Sequence, residues 1–480
     1  MMKIRISTYT VLLAVVLLAS CAQEELVSDV PTSEGSSIFF RSHLPGIVET
    51  RGSVMTDNTL KECHVTCFNP TGTPDIDPET GAMKPYFDDC RFIKKGNECF
   101  ISYDTVVKWP GTDDKLSFFA YYPAVDSMRK NIIKDNIDRD EIKREYFKLV
   151  NNCTPASAGG KPTLDYRLEG FHVADDIANQ VDFIAAYATG DLKENGDSGI
   201  EIDFNHQLAR VELSAWCGSD LYNIEIAGVR IGNPLTEGDF SFTPLVTSSN
   251  ILGEYPSQKL GEWTNTTQGT VEHIFSEGEE IVVLRKREGN HPDKDHSASI
   301  MGNSGPAMVI PMAEKIEKWE GKKDPNIGND DYSTDKLYFS VLLRVSNNAN
   351  QTMYPYPDKH DSIPEVLLAI GEDGRVIRRV YESEGEYYTS EKDKGDEEFK
   401  YTPDETEEIR SYCWASLPVG AKWEAGKIYA YKLNYSSGIG WHDPADPNPG
   451  EPIISDKVLI DVEVADWMEG ASTEVTVPRK

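Results

Sequence analysis

Three stretches of the sequence carry residue types that could do chemistry. Gly302-Asn303-Ser304-Gly305-Pro306 has a Gly-x-Ser-Gly arrangement of the kind that surrounds serine nucleophiles. A serine becomes nucleophilic when a base takes its proton and a third group orients that base. His291, Asp295 and His296 are near in sequence, but triads are assembled in space, and Pro306 occupies the position where a Gly-x-Ser-x-Gly elbow needs glycine. His291-Pro292-Asp293-Lys294-Asp295-His296 also reads as a metal loop, with Lys294 in its middle opposing any cation. Cys63-His64-Val65-Thr66-Cys67 invites a zinc reading, yet no second Cys or His pair completes a tetrahedral site. The segment alternates like a strand, which sets Cys63 and Cys67 about 13 Å apart at ~3.3 Å per residue, too far for a disulfide with each other. Both are expected to be buried as small apolar residues. There is no EF-hand loop, HExxH, P-loop or GxGxxG after a strand. Eighty acidic residues guarantee some carboxylate pair, so a glycosidase-like pair carries no weight. The expectation is a protein without catalytic residues, metal or cofactor, and not an enzyme.

The N-terminus carries a different kind of chemistry. Lys3 and Arg5 precede the short apolar run Val11 to Ala19, and small residues follow, which is an export signal over residues 1–20. Leu18-Ala19-Ser20-Cys21 resembles the lipobox of bacterial lipoproteins, in which cleavage precedes the cysteine and its thiol takes a diacylglycerol. Two ester chains and an N-acyl chain on Cys21 exceed what stable anchoring needs. Residues 21–36 then form a lipidated linker, and its acidic start, Glu24-Glu25, resembles a surface-export signal of Bacteroidetes lipoproteins. The expected location is the outer membrane and cell surface. Seven further cysteines remain, an odd number, so at least one is free or pairs between chains. Cys90 and Cys99 flank the turn Lys94-Lys95-Gly96-Asn97, where a cross-strand disulfide depends on register.

These candidates must be positioned by a fold, and the composition says which kind. A net charge of -32 over 480 residues repels nucleic acid. Beyond the N-terminus no apolar run approaches the ~20 residues of a spanning helix. With 39% hydrophobic and 10% aromatic residues the chain can build a core, so it is not disordered. Short alternating or β-branched runs recur between Gly, Pro, Asn and Asp: Leu116 to Tyr122, Val181 to Ala188, Leu208 to Trp216, Leu337 to Val345, Ile428 to Tyr435 and Val458 to Val464 are examples. In the last, Val458, Ile460, Val462 and Val464 share one face. One helix is expected, Asp138 to Val150, with Ile142, Tyr146 and Leu149 on one side. The polar stretch Gly190 to Gly199 sets a domain boundary near residue 197, giving an N-terminal domain over 37–197 and a C-terminal domain over 198–480. Glu382 to Glu408 carries twelve acids and three lysines and reads as a solvated loop.

Several segments resemble the fimbrillin family of Bacteroidales, the subunits of type V pili. Phe118-Phe119-Ala120-Tyr121-Tyr122-Pro123 resembles its "fxAYYP" strand end, and Val181-Asp182-Phe183-Ile184-Ala185-Ala186 its "xDLLxA" segment. Ile202 to Val211, with His206, resembles its "l-x-F-x-H-x-l-a-k-v" strand. Ala227-Gly228-Val229 with Gly238-Asp239-Phe240 is similar to the hairpin that follows, and Met308-Val309-Ile310-Pro311 to its "l-l-i-P-Q", with Met312 replacing Gln. Trp423 to Tyr431 resembles "W-x-a-G-k-x-Y-x-Y", and Val464-Ala465-Asp466-Trp467 the terminal "v-x-x-W". Each motif is weak alone; their order from residue 21 to 467 is specific.

The resemblance implies an all-β fold of two transthyretin-like β-sandwich domains in tandem with a short helical insertion. It implies a structural, tip or accessory subunit of cell-surface fimbriae that serves adhesion, with other fimbrial subunits as partners and a receptor the sequence does not name. In the family a protease trims stalk subunits after an arginine, removing the first strand, and a neighbour's strand fills the groove. Here Ile38, Phe40 and Leu44 form the candidate removable strand and Arg51 the candidate cut site, with Arg41 a poorer one inside the strand. Val475 and Val477 suit a short donor strand that Pro478 limits. The resemblance makes Ser304 part of a connection and His206 a core or interface residue. The competing reading is a surface glycan-binding β-sandwich lipoprotein, with an exposed Trp such as Trp441 as its stacking platform.

Overall fold

A computed structural model describes residues 37–44, 55–56, 59–70, 75–96, 99–112, 114–128, 147–155, 163–242, 261–286, 297–320, 335–357, 363–444, 446, 450–455, 458–467 and 472–473. Nearly all regular structure in them is strand, arranged in three sheets.

The N-terminal sheet has eight strands in the order Asn205–His206, Ile184–Gly190, Leu116–Tyr122, Glu62–Phe68, Phe87–Lys95, Cys99–Ser102, Phe39–His43 and Ile200–Asp203. Every neighbour is antiparallel except the last pair, where Phe39–His43 runs parallel to Ile200–Asp203. The run Leu-Ser-Phe-Phe-Ala-Tyr-Tyr at 116–122 is apolar at consecutive positions because both of its faces are covered. Phe118 and Ala120 enter the N-terminal core with Phe40, Phe92 and Phe100. Phe119 and Tyr121 point the other way, into the main core with Tyr166, Phe171 and Phe242.

The central sheet is built around Tyr222–Ser241, twenty residues or roughly 65 Å of backbone at ~3.3 Å per residue. Its first half pairs with Tyr338–Asn347 and its second half with Tyr166–His172, while Glu262–Ile274 runs beside most of it. Strand pairing therefore crosses residue 197 in both directions. Ile200–Asp203 belongs to the N-terminal sheet, and Lys148–Asn151 and Tyr166–His172 belong to the central one. The third sheet places Ala209–Trp216 parallel to Lys427–Asn434 and Leu459–Asp466 antiparallel beyond it. Its inner residues Val211, Leu213, Tyr431 and Leu433 close the main core, with Ile460, Val462 and Val464 half-buried against it, as their shared face requires.

Three expectations are corrected. The helix read over Asp138 to Val150 does not reach its end: Lys148–Asn151 is a strand paired with Tyr166–His172, and residues 129–146 lie outside the described residues. A described α-helix, Leu192–Asn195, instead sits in the polar stretch Gly190 to Gly199, capped by the Asp191 side chain accepting the Glu194 N–H. The Ala227 to Phe240 hairpin is one continuous strand. Cys90 and Cys99 are not opposed, because Lys95 faces Cys99 and Val65 faces Cys90; both are free thiols.

Candidate assembly site

The first strand is seated like an inserted piece. Phe39–His43 lies between Cys99–Ser102, with Phe40 opposite Phe100, and Ile200–Asp203, with Phe40 opposite Ile200. Ile38, Phe40 and Leu44 are 3% exposed or less and face the N-terminal core. The Phe40 ring meets those of Phe92 and Phe118 edge-on, at 4.9 and 5.3 Å between centroids. Ile38 N–H donates to the Val107 carbonyl at 2.9 Å, extending the pairing beyond the strand's start. Arg41 lies on the same strand with its side chain in solvent. Ile38, Phe40 and Leu44 share the face turned to the N-terminal core, while on the other face Phe39 is buried as well and Arg41 is exposed.

Twelve residues further on, the chain is fastened to a buried polar group. Met55 N–H donates to Asp182 Oδ2 at 3.0 Å, and His206 Nδ1 donates to the same oxygen at 2.8 Å. Asp182 and His206 are fully buried side chains. The imidazole stacks flat on Trp467, 4.1 Å between centroids. Trp467 N–H donates to the Gly426 carbonyl, and Gly426 N–H to that of Leu208. Asp182, His206, Gly426 and Trp467 thus come from four separate sequence segments and meet at one place. Sequence reasoning named His206 as a core or interface residue, which it is, but had no means of finding its partners. The signal available was that each lies in a family-like segment.

The Ser304 loop is held for structural ends. Ser304 Oγ donates to the Met301 carbonyl at 2.6 Å, and the following Ala307–Val309 is a buried strand. The loop is pinned by Glu279, whose carboxylate accepts Asn303 N–H, Ser276 N–H and the His273 ring. His273 also bonds Asp176 at 3.2 Å. Burial works against the charge on His273, but the hydrogen bonds to Asp176 and Glu279 outweigh it and push the pKa up to about 9 from 6.5. Burial likewise opposes the Glu279 charge, and its bonds to His273, Ser276 and Asn303 hold it down to about 2 from 4.5. The stabilisation from His273 is complete below pH 6.5 and lost as pH rises through about 9. That from Glu279 is complete above pH 4.5 and lost as pH falls through about 2. Thermal unfolding measured from pH 3 to 10 is expected to show a His273→Gln deficit that is greatest between these limits and shrinks on the alkaline side. A deficit independent of pH would refute the pairing.

The other candidates are placed as follows. Cys63 and Cys67 are buried in one strand, and burial pushes both thiols well up. No group of metal ligands gathers among the described residues. All eight tryptophans are described and none is exposed; Trp441 is half-buried against the main core. Glu382 to Glu408 is not all loop: it adds the short strands Glu386–Tyr388 and Lys400–Tyr401 to the edge of the central sheet. Cys21, Arg51, His291, Asp295, His296, Val475 and Val477 lie outside the described residues. No helix among the described residues is long and apolar enough to cross a membrane.

The described fold is all-β with a first strand seated between two others, and comparison with known families gives the class its name. The model of the fimbrillin-like family matches residues 75–318, half of the chain, and the protein belongs to that family. No curated protein matches the sequence. Among solved structures, a proposed cell-adhesion protein of Bacteroides ovatus is 12% identical, with 90% of this chain and 98% of that one covered at a TM-score of 0.35. A fimbrial assembly protein of Parabacteroides distasonis is 11% identical, with 66% of this chain and 98% of that one covered at a TM-score of 0.22. Similarities this distant leave the functional reading to the family match and to the residues.

Proposed function

We propose that the chain is a structural, tip or accessory subunit of cell-surface fimbriae, held to the outer membrane by lipid on Cys21 and built into the fibre by strand addition. It serves adhesion and performs no reaction. It is organised as two β-sandwich domains, 37–197 and 198–480, joined through shared strands. The observation that carries this reading is the first strand, sealed on its apolar face and bounded on both edges by other strands. Burying Ile38, Phe40 and Leu44 is worth about 1.5–3 kcal/mol each. Their loss, roughly 5–9 kcal/mol together, is comparable with the about 5–15 kcal/mol of a whole domain. A sheet that lost this strand would need another in its place, and the two ladders left open would define its register. Arg51 is the point of release, lying between the strand and Met55, which Asp182 retains. A strand such as the one carrying Val475 and Val477, from the next subunit, fills the groove. That contact is heterologous and open, so it propagates.

Incubation of the purified chain with an Arg-specific protease is expected to release a fragment ending at Arg51 and to yield SDS-resistant ladders, both absent in Arg51→Ala. Intact protein and no ladder would overturn the strand-addition version.

A further inference from the structure

Phe39 is buried for a reason the core does not supply. Its side chain leaves the first strand on the face opposite Phe40, yet it is 2% exposed and belongs to none of the hydrophobic clusters. Ile101, its partner on the neighbouring strand, is only half-buried, and Arg41, next on the same face, is exposed. The ring is covered by the loop that leads into Ile200–Asp203. A Cβ built on Gly199 would lie 2.4 Å from Phe39 Cε2 and 2.8 Å from Cδ2, so the Gly199 backbone rests on the ring and only glycine leaves it room. Gly199 also has φ +76°, a conformation that a Cβ disfavours.

The loop is braced by its own bonds. It starts from Gly190, which is paired with Leu116 in the N-terminal sheet, and contains the short helix Leu192–Asn195. Asn195 ties its two ends: Oδ1 accepts Asp191 N–H at 3.1 Å, and Nδ2 donates to the Gly199 carbonyl at 3.2 Å. Gly199 N–H donates in turn to the Asn195 carbonyl at 2.9 Å. The loop then runs directly into the strand that pairs in parallel with the first, Phe40 opposite Ile200. One braced unit therefore grips the first strand twice, by main-chain bonds along its edge and by Gly199 on its outward ring.

We propose that residues 190–199 form a clip that selects the strand this groove accepts. It takes an extended segment with three consecutive apolar residues, the middle one an outward-facing flat aromatic, and it rejects one with a small polar or charged residue there. In the intact chain that segment is Ile38-Phe39-Phe40. Main-chain bonds are common to every β segment, so discrimination falls to the side-chain contacts. A strand that supplied the core-facing residues alone would leave the Gly199 backbone without its ring and forfeit those contacts. The bearing of the clip on assembly rests on the strand-addition reading, for which it specifies the partner: a subunit whose incoming strand carries an aromatic at this position. Its grip on the chain's own first strand does not depend on that reading.

Hydrogen exchange on the intact chain tests the clip. The amides of Phe39–His43 are expected to exchange at least about tenfold faster in Phe39→Thr and in Asn195→Ala, which alters only the loop, while those of Glu62–Phe68 keep the parent's rate. Arg41→Thr, on the same face of the same strand, should match the parent, and Phe39→Leu should fall between the parent and Phe39→Thr. Asn195→Ala should add nothing to Phe39→Thr, because the clip then has nothing to hold. Parent-like exchange in Asn195→Ala, or acceleration shared equally by Glu62–Phe68, overturns the clip; equal protection by leucine and phenylalanine overturns its preference for an aromatic. After Arg-specific cleavage, a labelled peptide of residues 37–44 is expected to bind at least about tenfold more tightly than the same peptide with threonine at the Phe39 position, a difference of about 1.4 kcal/mol. Equal binding of the two overturns the selection. Binding of neither overturns strand addition, while the exchange result on the intact chain decides the clip.

Discussion

Replacing Phe40 by alanine is expected to cost about 3–5 kcal/mol, the range for deleting a large aromatic side chain from a packed core. The ring is fully buried and contributes two edge-on aromatic contacts, with Phe92 and Phe118. The neighbouring Arg41→Ala should fall within about 0.5 kcal/mol of the parent, because that side chain is exposed. Urea unfolding of the two variants measures the difference. Equal midpoints would mean that the first strand is not a working part of the N-terminal sheet in the mature protein. The strand-addition reading goes further: a chain starting at Gly52 should recover its lost stability when a peptide spanning Ile38 to Leu44 is supplied, and the same peptide with aspartate at the Phe40 position should restore none.

The second large effect is expected at Asp182. Its Oδ2 is the acceptor for both Met55 N–H and His206 Nδ1–H, in a place without solvent. Asp182→Ala leaves two buried donors without an acceptor, at about 1–3 kcal/mol each. Asp182→Asn retains one acceptor oxygen and should lose roughly half as much. A double-mutant cycle with His206→Ala should show coupling above about 1 kcal/mol, since the two side chains share one bond. Additive losses would mean that the Asp182–His206 contact is incidental. Trp467→Ala should lower stability through the same centre by uncovering the imidazole face.

Much of the architecture was legible because strands announce themselves by period two or by unbroken apolar runs. Leu116 to Tyr122 and Val458 to Val464 show the two cases, one covered on both faces and one on a single face. The failures have local physical causes. Gly232-Asn233-Pro234 carries every mark of a turn, yet the strand continues through it with a bulge. Gly232 is there because a Cβ would strike the Tyr338 ring at 2.1 Å. Asn233 takes the left-handed conformation at φ 63°, and Pro234 sits where the ladder skips between Gly232 and Leu235, so its missing N–H is not required. The helix over Asp138 to Val150 failed at its end because the spacing of Tyr146 and Leu149 matches a helical turn, while the next strand, Tyr166–His172, offers Leu149 a partner in Leu168. The disulfide candidate failed on register, which the spacing of Cys90 and Cys99 alone does not determine. The convergence of Asp182, His206 and Trp467 was not legible at all. A hydrogen bond and a ring stack between residues 24 and 261 positions apart leave no periodic trace.

The twenty-residue strand Tyr222–Ser241 has a mechanical meaning. Near its start it is clamped by Tyr338–Asn347, and near its end by Tyr166–His172 beneath the aromatic residues of the N-terminal sheet. A load applied along this strand would be carried by one covalent backbone whose lateral bonds lie across the direction of pull. Such bonds resist together in shear and do not peel one after another, which suits a body that must hold its grip while fluid drags on it.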